Sequence, residues 1–115
     1  MLCSPAVRAR QTLGALEMVL AAGTEIRIER GIYEGPAANV LDLVQRVGPT
    51  SATVMVVGHN PTLHDLALLL AGSGEGLERF PTGTFATLVS DGPADGLRAG
   101  SARLAGLWTP RPPVA

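Results

Sequence analysis

The run Val54-Met55-Val56-Val57-Gly58-His59-Asn60-Pro61-Thr62 constrains this chain more than any other segment. Its apolar, β-branched start favours extended backbone. A continuous run of this kind fits a strand buried on both faces, as in a parallel sheet covered by helices. Gly58 stops the run and Pro61 suits the opening of a helix. The result is a strand-to-helix corner with a titratable imidazole, His59, at its tip. A second corner of the same type, Ser4-Pro5-Ala6-Val7-Arg8-Ala9-Arg10-Gln11-Thr12, lies near the N-terminus.

The rest of the chain fits around these corners. Ser4 is expected to be an N-cap, with Pro5 at the first helical position. Val7, Leu13, Leu16 and Leu20 then repeat at helical spacing as far as Gly23, a C-cap by residue type. Residues 25–29 alternate and predict a strand with one wet face. Residues 31–36 read as a loop. Pro36 opens a second helix with a Val40, Leu41, Val44, Val47 stripe, which Gly48-Pro49 ends. A strand over 53–57 follows, then a helix from near Pro61 with Leu63, Leu66, Ala67 and Leu70 on one side. Residues 72–76 form a glycine-rich break, and 84–90 and 102–109 read as two later strands. The order predicts an α/β domain with helices on both faces of a mostly parallel sheet, a three-layer α/β/α arrangement. The domain is expected over 1–110, with 111–115 as a tail.

Composition narrows the function classes. The chain has 115 residues and a formal net charge of −1, which gives no basic field for nucleic acid. All nine cationic side chains are arginine, and only Arg8 and Arg10 lie close together. The single cysteine, Cys3, precludes an internal disulfide and points to a reducing, cytoplasmic setting. The longest apolar run, 66–71, is too short to span a bilayer. Neither a nucleic-acid nor a membrane partner is expected.

The two corners carry the chemistry. Ligands in open α/β sheets sit beyond the carboxyl ends of the strands, and helix N-termini favour anions. Arg8, about one turn into its helix, could fork two phosphate oxygens. His59 could donate to a third, opposing charge that spreads in a phosphoryl-transfer transition state. Asn60 offers its backbone N–H, and Ser4 a secondary contact beyond its cap. The bland alternatives are a surface ion pair for Arg8 and a turn histidine for His59. His64, on the polar side of its helix beside Asp65, reads as a solvated surface residue. Glu17 and Glu34 are acidic groups without a supporting pattern. Cys3 precedes Arg8 by too few residues for a cysteine-phosphatase loop and reads as a buried strand cysteine. The 72–76 run lacks the Lys and Ser/Thr of a P-loop.

These motifs resemble the histidine phosphatase superfamily, the phosphoglycerate-mutase-like proteins, and within it the short phosphohistidine phosphatases. The Ser4 to Thr12 motif resembles their S-P-x-x-R-A-x-Q-T signature, and Val57-Gly58-His59-Asn60-Pro61 their later V-G-H motif. Ile32-Tyr33-Glu34, Phe80-Pro81-Thr82-Gly83 and Gly100-Ser101-Ala102-Arg103-Leu104 also fit that branch. The resemblance implies Arg8 as the second phosphate-binding arginine and His59 as the second histidine. It implies phosphoryl transfer through a phosphohistidine, without metal or organic cofactor, on a phosphorylated protein or a small phosphate ester.

One family element is missing. The R-H-G motif that carries the nucleophilic histidine and the first arginine has no counterpart here. The resemblance implies loss of the first strand and helix, the strand being a central one beside that of His59. The chain is therefore expected to be a fragment or to carry a misassigned start at Met1, and to show little or no phosphatase activity. A non-catalytic phosphate-binding or interaction module, dimeric through the orphaned sheet edge, is the reading from another class. A phosphomonoesterase of small metabolites would share the same site.

Overall fold

Two consecutive side chains of a two-residue strand organise the molecule. In the computed structural model, which describes residues 1–17, 19–20, 24–47 and 53–110, β1 (Leu2–Cys3) is the middle strand of a parallel three-stranded sheet. It pairs with β2 (Arg27–Ile28) on one side and β3 (Val56–Val57) on the other, in the order β2-β1-β3. Leu2 lies opposite Arg27 and Val56, and Cys3 opposite Ile28 and Val57. Successive side chains of a strand point to opposite faces. Leu2 accordingly enters a core with Ile32, Val40, Val44, Leu66, Leu70 and Ala94. Cys3 enters a separate core with Ala9, Leu13 and Val57. These two cores are the two helix-covered faces of an α/β/α arrangement.

α1 (Val7–Glu17) covers the Cys3 face with Ala9 and Leu13. α3 (Ala37–Gln45) and α4 (Thr62–Ala71) cover the Leu2 face. Val40 and Val44 of α3 are buried, as are Leu66, Ala67 and Leu70 of α4, which follows their helical spacing. Gly72 closes α4 in the left-handed conformation, φ 68°, with its N–H bonded to the Leu68 carbonyl. Glycine has no Cβ to oppose that backbone.

Several expectations are corrected. Residues 31–36 are not all loop, because Arg30–Glu34 forms a short helix, α2. Gly31, Gly35 and Pro36 signal turns, yet Ile32 is fully buried, and its place in the core holds the helical turn together. The strands expected over 25–29 and 53–57 shorten to two residues each, and both residues of β2 are exposed. Ser4 is not the N-cap of α1. The first helical hydrogen bond runs from Arg10 N–H to the Ala6 carbonyl, so the cap position is Ala6 and Pro5 lies ahead of the helix. Gly23, Gly48-Pro49 and the 111–115 tail lie outside the described residues.

The last two strands appear where expected, as β4 (Phe85–Ser90) and β5 (Ala102–Trp108). They form their own antiparallel ribbon rather than joining the parallel sheet. A bulge falls where Thr87 faces Gly106 but Leu88 faces Leu104, leaving Ala105 as the extra residue. A 3-10 turn, Ala94–Gly96, precedes β5, and Gln45 Nε2 of α3 donates to the Leu97 carbonyl just after it. Among the described residues, no helix is long and apolar enough to cross a membrane.

Candidate functional site

The two corners meet. β1 and β3 run in the same direction and end side by side, and the Ser4 N–H donates to the Val57 carbonyl at 2.9 Å. Each chain then turns away from the sheet, toward α1 in one case and α4 in the other. Ser4 Oγ and His59 Nε2 share a hydrogen bond of 2.7 Å across this edge. Ser4 is fully buried, and its Oγ also accepts the Ala6 N–H at 3.2 Å. The hydroxyl thus ties the turn before α1 to the imidazole of the other corner. Its main partner is His59, and a helix cap is not part of its work.

Gly58 makes room for this edge. A Cβ there would lie 2.8 Å from Ile32 Cγ2 and 3.4 Å from the Leu63 side chain. The backbone of the turn therefore packs directly on the core, and His59 follows from a fixed base. The His59 carbonyl accepts the Leu63 N–H at 2.9 Å, which joins the turn to the first residues of α4.

Tyr33 of α2 forms a second wall. Its ring meets the His59 ring edge-on, with centroids 5.4 Å apart and planes at 75°. Tyr33 is 61% exposed, so it stands at the rim rather than in the core. Edge-to-face contacts of this type restrict ring orientation as well as burying area. Sequence reading passed over Tyr33 as a site residue. The signal available was its place between core-forming Ile32 and Glu34, without a packing role of its own.

The other named residues divide. Arg8 is the second residue of α1 and is exposed. Among the described residues its side chain has no hydrogen-bond or ion-pair partner, so the surface ion pair considered above is not formed there. The first turn of α1 holds no acidic side chain to offset the positive end of the helix dipole. The Asn60 side chain is turned to the other side, where its Nδ2 donates to the Phe80 carbonyl. The Asn60-Pro61 peptide bond is cis. His64 is not a solvated surface residue: its Nε2 lies 2.6 Å from the Leu77 carbonyl and its ring stacks on Phe80 at 5.2 Å. Asn60 and His64 therefore both anchor the segment leading to β4. Cys3 is fully buried as expected, with Sγ near the Ser4 and Ala9 carbonyls, and burial raises its thiol pKa. Among the described residues, no three His, Cys, Asp or Glu side chains cluster in a way that could hold a metal ion.

No family model matches the sequence. An uncharacterized protein of Mycobacterium tuberculosis is 36% identical over 118 aligned positions, which take in 96% of this chain and 72% of that protein. A solved structure from Nakamurella multipartitia, assigned as the phosphohistidine phosphatase SixA, superposes with a TM-score of 0.84. That match has 31% identity and covers 95% of this chain and 69% of the other. The chain belongs to the SixA-type histidine phosphatases.

A second SixA structure, from Agrobacterium tumefaciens, matches at 26% identity with a TM-score of 0.74, over 95% of this chain and 66% of that one. In each of these matches almost all of this chain is used, while more than a quarter of the longer protein lies outside the alignment. The domain is thus α/β and SixA-like, with the parallel sheet and flanking helices that the corner motifs imply.

Proposed function

We propose that this chain is the oxyanion-holding portion of a phosphohistidine phosphatase. The observation that carries the reading is the 2.7 Å contact between Ser4 and His59, because it joins the two motif-bearing corners at one sheet edge. Ser4 Oγ receives the Ala6 N–H and has its own proton to give to His59 Nε2. That arrangement leaves Nδ1–H as the imidazole donor directed to a phosphoryl oxygen. Arg8, without a partner among the described residues and at the positive end of α1, supplies the guanidinium fork. The Asn60 backbone N–H is a further donor at the same turn. Charge building on the phosphoryl oxygens during transfer would be met by these fixed donors.

Such a site grips a phosphoryl group but has no nucleophile of its own. The chain contains two histidines. His59 is held by Ser4 and Tyr33, and His64 is committed to Leu77 and Phe80. Covalent transfer through a phosphohistidine needs a further imidazole. The 115-residue chain therefore binds phosphoryl groups without turning them over. The substrate class for the complete site is a phosphohistidine carried on a protein, a reading supported by the name phosphohistidine phosphatase that the Nakamurella and Agrobacterium SixA structures bear. A small phosphate ester is the alternative that the same donors would accept.

The test pairs binding with turnover. Titration with inorganic phosphate, followed by NMR, is expected to move the His59 ring signals and the Ala6 and Asn60 amides together. A phosphohistidine peptide is expected to decay no faster than in buffer. Absence of a His59 response at millimolar phosphate overturns the site. Turnover that disappears in His59→Ala overturns the inactivity and shows that another residue serves as nucleophile.

A further inference from the structure

Tyr33 has more ring than its one contact uses. It belongs to the five-residue helix α2 and meets the His59 ring edge-on at 5.4 Å, yet 61% of the residue stays exposed. Among the described residues its hydroxyl has no hydrogen-bond partner. Among them, too, no other aromatic ring contacts His59. Phe80 stacks on His64, and Phe85 and Trp108 are paired positions of β4 and β5.

The base of that ring is fixed. Ile32, the preceding residue, is fully buried, and its Cγ2 sits only 2.8 Å from where a Cβ on Gly58 would stand. A Cβ on Gly31 would lie 3.2 Å from Leu43 Cδ1, so the start of α2 packs closely on α3. The Glu29 N–H donates to the Cys3 carbonyl at 2.8 Å. α2 is therefore tied to the same sheet edge that carries Ser4 and His59, and Tyr33 is held beside the imidazole. His59 Nε2 is bonded to the buried Ser4, and His59 itself is half-buried. A ligand reaches the imidazole from its accessible side, and the exposed Tyr33 ring borders that approach.

Resting on the phosphoryl-binding reading above, we propose that Tyr33 is a specificity-determining residue. Its open ring packs against the group that carries the phosphoryl, and selects a flat imidazole, as in phosphohistidine, over the aliphatic carbon of a phosphoserine-type ester. His59 and Arg8 meet phosphoryl oxygens whatever carries them, so the choice of carrier falls to the wall beside them. An aromatic ring gains most from a flat partner laid offset on its face or against its edge. A protonated imidazole adds the attraction between its charge and the negative face of the phenol. An aliphatic ester offers neither and leaves the Tyr33 ring in water.

Three probes test this on the full chain, by calorimetry and NMR. One is a triazolyl phosphonate, a stable stand-in for phosphohistidine. The second is methylphosphonate, which has a similar phosphorus head without the ring, and the third is inorganic phosphate. The triazolyl ligand is expected to bind about fivefold more tightly than methylphosphonate. It should also move the Tyr33 ring proton signals and show nuclear Overhauser contacts to them. Tyr33→Phe should keep the preference, and Tyr33→Leu should bring the ratio of the two affinities close to one. Phosphate binding without any preference for the ring-bearing ligand overturns the role of Tyr33 and leaves the phosphoryl site standing. Failure of all three probes to bind overturns both. A Tyr33→Leu variant that weakens every ligand equally and preserves their ratio would show that Tyr33 only orients His59, which also overturns the proposal. Should a variant fail to fold, the preference and the Overhauser contacts of the parent chain decide the matter.

Discussion

Ser4 Oγ and His59 Nε2, fifty-five positions apart in sequence, lie 2.7 Å apart at the carboxyl ends of neighbouring parallel strands. The serine is fully buried and the histidine half-buried, so the bond ties a partly accessible functional group to the interior. Removing the hydroxyl in Ser4→Ala is expected to cost about 0.5–1.5 kcal/mol, the usual net worth of such a bond. Ring nitrogen NMR should show a single Nδ1–H tautomer in the native protein and a mixture in the variant. An unchanged ring spectrum would mean that Ser4 does not orient His59.

Gly58→Ala is expected to destabilise more than its size suggests. The new methyl would meet Ile32 Cγ2 at 2.8 Å, and Ile32 has no exposed surface toward which to move. Overpacking of this kind costs about 1–3 kcal/mol. Gly14→Ala is the contrast, because nothing lies within 4 Å of a Cβ at that position in the middle of α1. It should stabilise by about 0.5–1 kcal/mol through helix propensity alone. Urea denaturation of both variants checks the pair, and a null or reversed difference would contradict the packing described at Gly58.

Arg8→Ala should separate stability from binding. The side chain is exposed and unpaired among the described residues, so unfolding free energy is expected to stay within about 0.5 kcal/mol of the parent. Affinity for inorganic phosphate should fall at least tenfold, and Arg8→Lys should recover only part of it, since an ammonium cannot form the fork. Calorimetric titration reads both effects. Undiminished phosphate binding in Arg8→Ala would remove Arg8 from the site.

Burial holds the Cys3 thiol above its ordinary pKa of 9.0, against a smaller opposing pull from the Arg10 charge. The folded protein therefore retains the thiol proton at pH values where the unfolded chain begins to lose it. The unfolded state then binds fewer protons, so stability falls as pH rises through the interval between the ordinary and the raised value. Cys3→Ser or Cys3→Ala should lose that alkaline component of the pH profile. At neutral pH, alkylation of Cys3 should be slow in the native protein and fast in denaturant. Rapid native labelling would show that the strand opens readily.

Helices were legible where periodicity was strong. The Val40, Val44 and Leu66, Leu70 repeats locate α3 and α4 because a buried stripe needs that spacing. The later strands were equally clear. That two strand-to-helix corners lie near one sheet edge was legible in their motifs, since parallel strands place their ends together, but the bond from Ser4 to His59 was not, because Ser4 read as a helix cap. What the letters do not carry is partnership at long range. Tyr33 contacts His59 only because Ile32 pins α2 to the core, and His64 leaves solvent only because the segment before β4 folds back over it. The pairing of β4 with β5 apart from the parallel sheet is likewise a long-range matter. Local composition cannot state that.

β1 is the shortest kind of strand, yet it is shared property of both helical layers. The amides of Leu2 and Ser4 bond to the Met55 and Val57 carbonyls, while the intervening Leu2 and Cys3 side chains serve opposite cores. Neither layer can loosen at this seam without the other. Hydrogen exchange at those two amides should thus report only the rarest openings of the molecule, and the floor beneath the imidazole is as durable as the fold itself.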